Sequence, residues 1–341
     1  MAEQSSTARS DPHPSYQPHI VPEDDHELYD DDSDGASIES STASLSSSIM
    51  NYRYGHYLDS KCAPASNLQA DMNPMMNESK IGWTWYASLW LPAVIQAVSY
   101  CCQHHHIWSM ITGGDLYRAP LPPGVSKILD LGTGTGSWAI DVAELPPNCK
   151  FEIDDFESPW NFTQPFDFVH VRNIEGSVKD YPRLFKQALA NLEPGGWFEV
   201  ADSTVGLFGD DDTIEKATSL SEWRDRLIEA SGKFGKPMGV SHNYKQWMID
   251  AGFENVTEEL YKVPFSPWAK DRKLKELGRY QQAMMLEALE AYSLALFTRV
   301  LGWNVARIQL LLVGVRKELM DRSLHIYSRY YIVYGQKPKA S

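Results

Sequence analysis

Lys127-Ile128-Leu129-Asp130-Leu131-Gly132-Thr133-Gly134-Thr135-Gly136-Ser137-Trp138-Ala139-Ile140 reads, from left to right, as a short buried strand, a glycine-rich turn and the first residues of a helix. Ile128, Leu129 and Leu131 give the strand its apolar character. Gly132, Gly134 and Gly136 alternate through the turn, and without Cβ atoms they let a ligand approach the backbone closely. The helix opening at Ser137 offers free N–H groups and the positive end of its dipole to an anionic group. Such a turn at the carboxyl end of a strand is the setting of a nucleotide-type cofactor.

Downstream of this stretch the pattern alternates between strand and helix. Strands are expected over 126–131, 149–153, 166–171 and 197–201, with helices over 137–145 and 181–192 and a tight turn at 193–196. Short turns between alternating elements give an α/β fold with a doubly wound, mostly parallel sheet. Helices follow over 213–230 and 244–251, then a strand-like run over 258–264. A long helix over 270–301 is interrupted only by Gly278, another spans 305–319, and a strand over 328–334 closes the chain. A strand, two helices and a final strand predict an antiparallel last strand with a helical cover inserted before it, so 213–320 is the expected substrate region. Met284 and Met285 in that cover read as ordinary core filling rather than as a methionine-lined pocket.

Upstream the chain changes character. Residues 1–50 carry eleven acidic groups against Arg9 alone, a net charge of −10 within the −14 of the whole, so the body carries only −4. A body without a basic surface excludes direct nucleic-acid binding. Residues 1–49, rich in Ser, Asp, Glu and Pro, are expected to be a disordered tail, because they offer too little apolar surface to offset the entropy of ordering. Residues 50–102 read as an irregular segment ending in an uncharged apolar helix over 81–100. Pro92, Gln96, Thr84, Ser88 and Ser99 argue against a membrane span there, despite adequate length. His104-His105-His106 beside Cys101-Cys102 raises a metal site, but consecutive ligands cannot all face one ion and no second cluster follows at zinc-like spacing, so no metal is expected. Four irregularly spaced cysteines and a polar start point to a reducing compartment, cytoplasm or nucleus.

Two cofactors compete for the glycine turn. Gly134-x-Gly136-x-x-Ala139 fits a dinucleotide fingerprint. Asp130-x-Gly132-x-Gly134-x-Gly136, however, places an acid at the strand end, where it accepts from an amine and repels a pyrophosphate. S-adenosylmethionine has the amine and no phosphate, and this spacing favours it.

The segments Ile128 to Asp141, Phe151-Glu152-Ile153-Asp154-Asp155, Phe166 to Asn173 and Leu192-Glu193-Pro194-Gly195-Gly196-Trp197-Phe198-Glu199 together resemble the fungal LaeA-type class I methyltransferases. So do His104-His105-His106-Ile107-Trp108, Gly114 to Pro120, Gly252 to Val256, Tyr261 to Trp268 and Val333 to Pro338, so that the similarity covers a methyltransferase domain over 103–338. The resemblance implies S-adenosylmethionine as donor and a role in fungal secondary metabolism. It implies that Asp130, Gly132, Gly134 and Gly136 cradle the amino-acid end of the donor, that Asp154 or Asp155 faces the adenine with Phe156 beside it, and that His170, Arg172 and Asn173 lie beneath the sulfonium. His170 is the only candidate for a catalytic base; a core histidine is the alternative. The family also has a second strand, ending in an acid for the ribose, before the Phe151–Asp155 segment. Here Glu144-Leu145-Pro146-Pro147 runs straight on, so either the sheet lacks that strand or 149–153 takes its place with Asp154 on the ribose. Tyr52, Tyr54 and Tyr57 resemble the remnant of an N-terminal lid. Two functions follow: methylation of a small metabolite, or regulation through a protein partner with little or no catalysis.

Overall fold

The computed structural model describes residues 19–23, 103–143 and 149–339. The expectations for 50–102, for most of 1–49 and for the end of the helix at 144–145 lie outside the described residues. The first element of the body is a helix over 103–112, α1. Then come β1 (Ile128–Leu131), α2 (Ser137–Ala143), β2 (Phe166–Arg172), α3 (Tyr181–Ala190), β3 (Leu192–Ser203) and β4 (Phe208–Gly209). The second half holds α4 (Thr218–Phe234), α5 (Tyr244–Ala251), β5 (Glu254–Pro264), α6 (Arg272–Arg299), α7 (Val305–Met320) and β6 (Ile326–Gln336).

Local chemistry sets many of these boundaries. Asp180 caps α3 by accepting from Arg183 N at 3.0 Å, and Tyr181, Leu184, Phe185 and Ala188 form its buried stripe. Asp271 caps α6 and Asn304 caps α7 in the same way. Helix α5 stops at Gly252, whose φ of 104° suits a residue without a Cβ.

The sheet order is β1-β2-β3-β6-β4, with β5 on the other flank of β6. β1, β2 and β3 are parallel; β6 runs antiparallel to β3, β4 and β5. The expected hairpin with an inserted cover is therefore present, α6 and α7 lying between β5 and β6 in the chain. One sheet face carries Val169, Val171, Phe198, Val200 and Val333, all fully buried against α3 and α5. The other meets α1 and the α4, α6 and α7 cover through Ala201, Tyr330 and Ile332. On that second face a polar row crosses the sheet: Asp130, His170, Glu199 and Tyr334 stand opposite one another on successive strands. Among the described residues no helix is long and apolar enough to cross a membrane.

Three expectations need correction. The strand over 149–153 does not form, and among the described residues β1 is the sheet edge. The segment spends its contacts elsewhere: Cys149 Sγ reaches Ala139 O at 3.5 Å, and the Phe151 ring lies against Gly136. Ile153 is left fully exposed. The second-strand position is thus not filled by this segment. The turn at 193–196 is absorbed into β3 through a bulge, since Phe166 pairs with Leu192 but Phe168 pairs with Trp197. Finally, the acidic tail is not wholly without structure. Ile20, buried to 5 % exposure, packs with Trp268, Ala269 and Tyr327.

Candidate active site

The carboxyl ends of β1, β2 and β3 converge on one end of the sheet, where crevices form in open α/β folds. At the end of β1, Gly132, Gly134 and Gly136 all take positive φ, 69°, 59° and 77°. Among the described residues, a Cβ on Gly134 would meet nothing nearer than Gly132 O at 3.9 Å, which leaves room at the turn. Thr133 Oγ1, between two of these glycines, is buried with no hydrogen-bond partner among the described residues. An open cradle, an orphaned hydroxyl and an acid at the strand end fit the zwitterionic amino-acid end of S-adenosylmethionine.

The acid is Asp130. Its Oδ1 lies 2.8 Å from His170 Nδ1, and the His170 ring is stacked under Trp138 at 3.5 Å between centroids and 6° between planes. Burial pushes His170 below its ordinary pKa, against the opposing pull of Asp130. A neutral imidazole with its proton on Nδ1 donates to the carboxylate and holds it in one orientation. His170 does not border the large cleft described below.

Next along β2, Arg172 Nη2 donates to His105 Nδ1 at 2.8 Å, and His105 Nε2 lies 3.0 Å from Asp141 Oδ2. A guanidinium only donates, so His105 Nδ1 must accept, which leaves Nε2–H for Asp141. This chain joins β2, α1 and α2. Asn173 sits at a φ of 58°; its N–H donates to Ala201 O and its Oδ1 accepts from Trp108 Nε1 at 3.0 Å. The histidine run therefore diverges. His104 packs on Trp108 and Tyr330, His105 joins Arg172 and Asp141, and His106 meets Tyr280 edge-on. Burial, with the Arg172 charge second, holds His104 down to about 3.

Beyond Asn173 opens a cleft floored by Asp202–Leu207 and covered by Trp223, Leu227, Phe265, Met284 and Met285. The methionines are thus pocket walls as well as core, a correction to their reading as core filling alone. The floor is braced by two carboxylates. Asp202 accepts from Ile174 N, Glu175 N and the Tyr244 hydroxyl, and burial, with the Glu175 charge second, raises its pKa well above the carboxylate range. Glu175 accepts from Val205 N, Val240 N, Ser241 N and Ser241 Oγ. Neither acid stood out in the sequence, since Asp202 only follows the strand expected over 197–201 and no spacing links Glu175 to Val240.

Asp154 and Asp155 are exposed, three and four residues beyond the Phe151 contact with the turn. Asp155 accepts from Glu157 N and Ser158 Oγ. Phe156 packs into the core on the α3 side, and its carbonyl accepts from Trp160 Nε1.

Glu199, in the polar row, is 2 % exposed and accepts from Arg118 N at 2.8 Å and Ala119 N at 2.7 Å. Burial raises its pKa to about 7, outweighing those two bonds. The folded chain therefore holds this proton between the ordinary 4.5 and about 7, where the unfolded chain has lost it. Stability should fall as pH rises through that window, by up to about 3 kcal/mol, and level off above it. Glu199→Gln keeps an oxygen for both amides and removes the titration. Urea midpoints of the variant should lose this slope; equal slopes in both proteins would refute the assignment.

A family model described as a methyltransferase domain matches residues 110–258. The chain is 31 % identical over 336 residues to the methyltransferase PytC of Aspergillus terreus, covering 91 % of this chain and 95 % of that one. It is 36 % identical over 255 residues to the probable methyltransferase TdiE of Emericella nidulans, covering 69 % and 80 %. It is also 32 % identical over 262 residues to the secondary metabolism regulator LAE1 of Cochliobolus heterostrophus, covering 69 % and 85 %.

Proposed function

Because the chain belongs to the fungal LaeA-type family of class I S-adenosylmethionine-dependent methyltransferases, we propose that it methylates a small, largely apolar metabolite of fungal secondary metabolism. The observation that carries this reading is the cleft. It begins at Asn173, at the carboxyl end of β2, and its cover is made of Trp223, Leu227, Phe265, Met284 and Met285. An apolar wall with a polar floor is the usual form of a small-molecule site.

When bound, S-adenosylmethionine supplies an electrophilic methyl group that needs no further activation. In this reading Asp130 would accept from the ammonium of the donor and Thr133 Oγ1 with the Gly132, Gly134 and Gly136 backbone would hold its carboxylate end, while His170 fixes the Asp130 rotamer. Arg172 and Asn173 hold the floor between donor and cleft, Arg172 through His105 and Asn173 through Trp108. Asp154, Asp155 and Phe156 are assigned to the nucleoside end. Catalysis then rests chiefly on holding the two reactants in line within the cleft. His170, committed to Asp130 and enclosed by Trp138, acts as a positioning residue rather than a base.

The LAE1 relative, named as a regulator, favours a second reading in which the chain acts through a protein partner. Isothermal titration with S-adenosylmethionine, followed by incubation of donor carrying a labelled methyl group with fungal metabolite extract, separates the two. Donor binding with label recovered in solvent-extractable small molecules is the expected result. Donor binding with label confined to protein favours the regulator, and no binding at millimolar donor removes the enzyme reading.

A further inference from the structure

We propose that the corner between β5 and α6 is a peptide-docking groove, and that its occupant is the chain's own segment His19-Ile20-Val21-Pro22-Glu23. The segment lies in the groove as an added strand. Val21 O accepts from Lys270 N and Glu23 N donates to Trp268 O, each at 2.9 Å, on either side of the Pro22–Ala269 bridge. Pro22 occupies a position that asks for no N–H, which suits the edge of a pairing that goes no further. Exposure alternates only at the anchor: Ile20 is buried and Val21 is 60 % exposed, while Pro22 and Glu23 are both half-buried. Ile20 is the anchor, set among Trp268, Ala269 and Tyr327 with Phe208 at the margin. Its N–H donates to Asp210 Oδ2 at 3.2 Å, and Glu23 forms an ion pair with Lys275 on α6. The groove therefore selects an apolar residue, any residue, proline and an acid, in extended conformation.

Among the described residues, one buried side chain, two backbone–backbone bonds, the Ile20 N–H bond to Asp210 and one ion pair hold the segment, so a free peptide should bind weakly. The tether makes the contact intramolecular, with an effective concentration set by the linking chain. The contact also reaches the cleft. Asp210 and Trp268 lie three residues from Leu207 and Phe265, which line the cleft, and Lys275 shares α6 with Gln281, which also lines it. The docked segment thus clasps three walls of the acceptor region from outside. This consequence rests on the cleft being the acceptor site; the groove does not.

The test uses the full chain and a fluorescein-labelled peptide of residues 17–25. Ile20→Asp should empty the groove, so the peptide should bind that variant at least about tenfold more tightly than the wild type, whose groove is already filled. A peptide carrying I20D should not bind. Lys275→Glu, a surface change that spares the anchor pocket, should weaken peptide binding to the I20D chain, and a peptide carrying E23K should restore it. Equal binding to both proteins, no binding to the I20D chain, or binding indifferent to the anchor would overturn the groove. Hydrogen exchange reads the coupling: Lys270 and Phe265 amides should both exchange at least about tenfold faster in the I20D chain. Faster exchange at Lys270 with none at Phe265 would overturn the clasp. Neither readout uses donor or acceptor, so the failure of methyl transfer and the failure of the groove are separate results.

Discussion

Replacing Gly134 with valine should leave the protein folded and abolish donor binding. Gly134 has a φ of 59°, in the left-handed region, and the space where its Cβ would stand is open except for Gly132 O at 3.9 Å. Among the described residues, the valine Cβ therefore meets no close protein atom. Its penalty in the folded state is backbone strain, about 1–2 kcal/mol, which lowers the melting temperature by about 2–4 °C per kcal/mol. The branched side chain instead fills the space beside Asp130 and Thr133 into which the donor must come. Affinity should fall by at least about 100-fold, or roughly 3 kcal/mol. Gly134→Ala is the control, since it carries the strain with less bulk and should lose less affinity for a comparable melt. Titration calorimetry and a thermal melt on the three proteins decide the matter. Donor binding unchanged in the valine variant would move the donor away from this turn.

That turn was also the most legible part of the chain, for a physical reason. Its strand, glycines and helix are signalled by residue types within one run of fourteen, although His170 and Phe151 pack against it from farther along the chain. The same holds for α3, whose cap and stripe are contiguous, and for α5, which spans the expected 244–251. Legibility fails where the deciding partner is distant. Phe151-Glu152-Ile153 alternates as a strand should, yet alternation cannot tell a sheet edge from the side of α2, where Phe151 meets Gly136. The His104-His105-His106 run looked like one feature and is three, because a helix sends consecutive side chains to Tyr330, Asp141 and Tyr280. The brace of Glu175 on Val240 and Ser241 crosses more than sixty residues. Ile20 sits within an acidic, serine-rich tail whose composition gives no sign that one apolar side chain has a pocket waiting. Composition averages over a segment, whereas docking depends on single residues.

Gly278 brings the same lesson to a measurement. In sequence it was only an interruption in a long helical run, and helix propensity alone says that alanine there should stabilise by about 1 kcal/mol. The structure reverses the sign. A Cβ on Gly278 would stand 2.4 Å from Ser266 O, 2.8 Å from Ser266 C and 3.2 Å from Pro267 N. These are backbone atoms and cannot rotate aside. Nor can the corner that carries them retreat freely, because Phe265 N and Trp268 Nε1 both donate to Ile326 O, at 2.9 and 3.0 Å. Either α6 or the corner must shift, and overpacking of this kind costs about 1–3 kcal/mol or more. Against the propensity gain, Gly278→Ala should destabilise by about 2 kcal/mol, a fall in melting temperature of about 4–8 °C. Gly232 in α4 supplies the comparison: it is exposed and helical, with nothing among the described residues within 4 Å of its Cβ position beyond its own helix backbone. There Gly232→Ala should stabilise by about 0.4–1 kcal/mol. Thermal melts of the two variants should therefore move in opposite directions. If both rise, α6 does not press on the 266–267 backbone, and the groove built on that corner loses its rigid wall. If Gly278→Ala falls and also weakens the docked tail, helix, corner and tail respond as one packed unit.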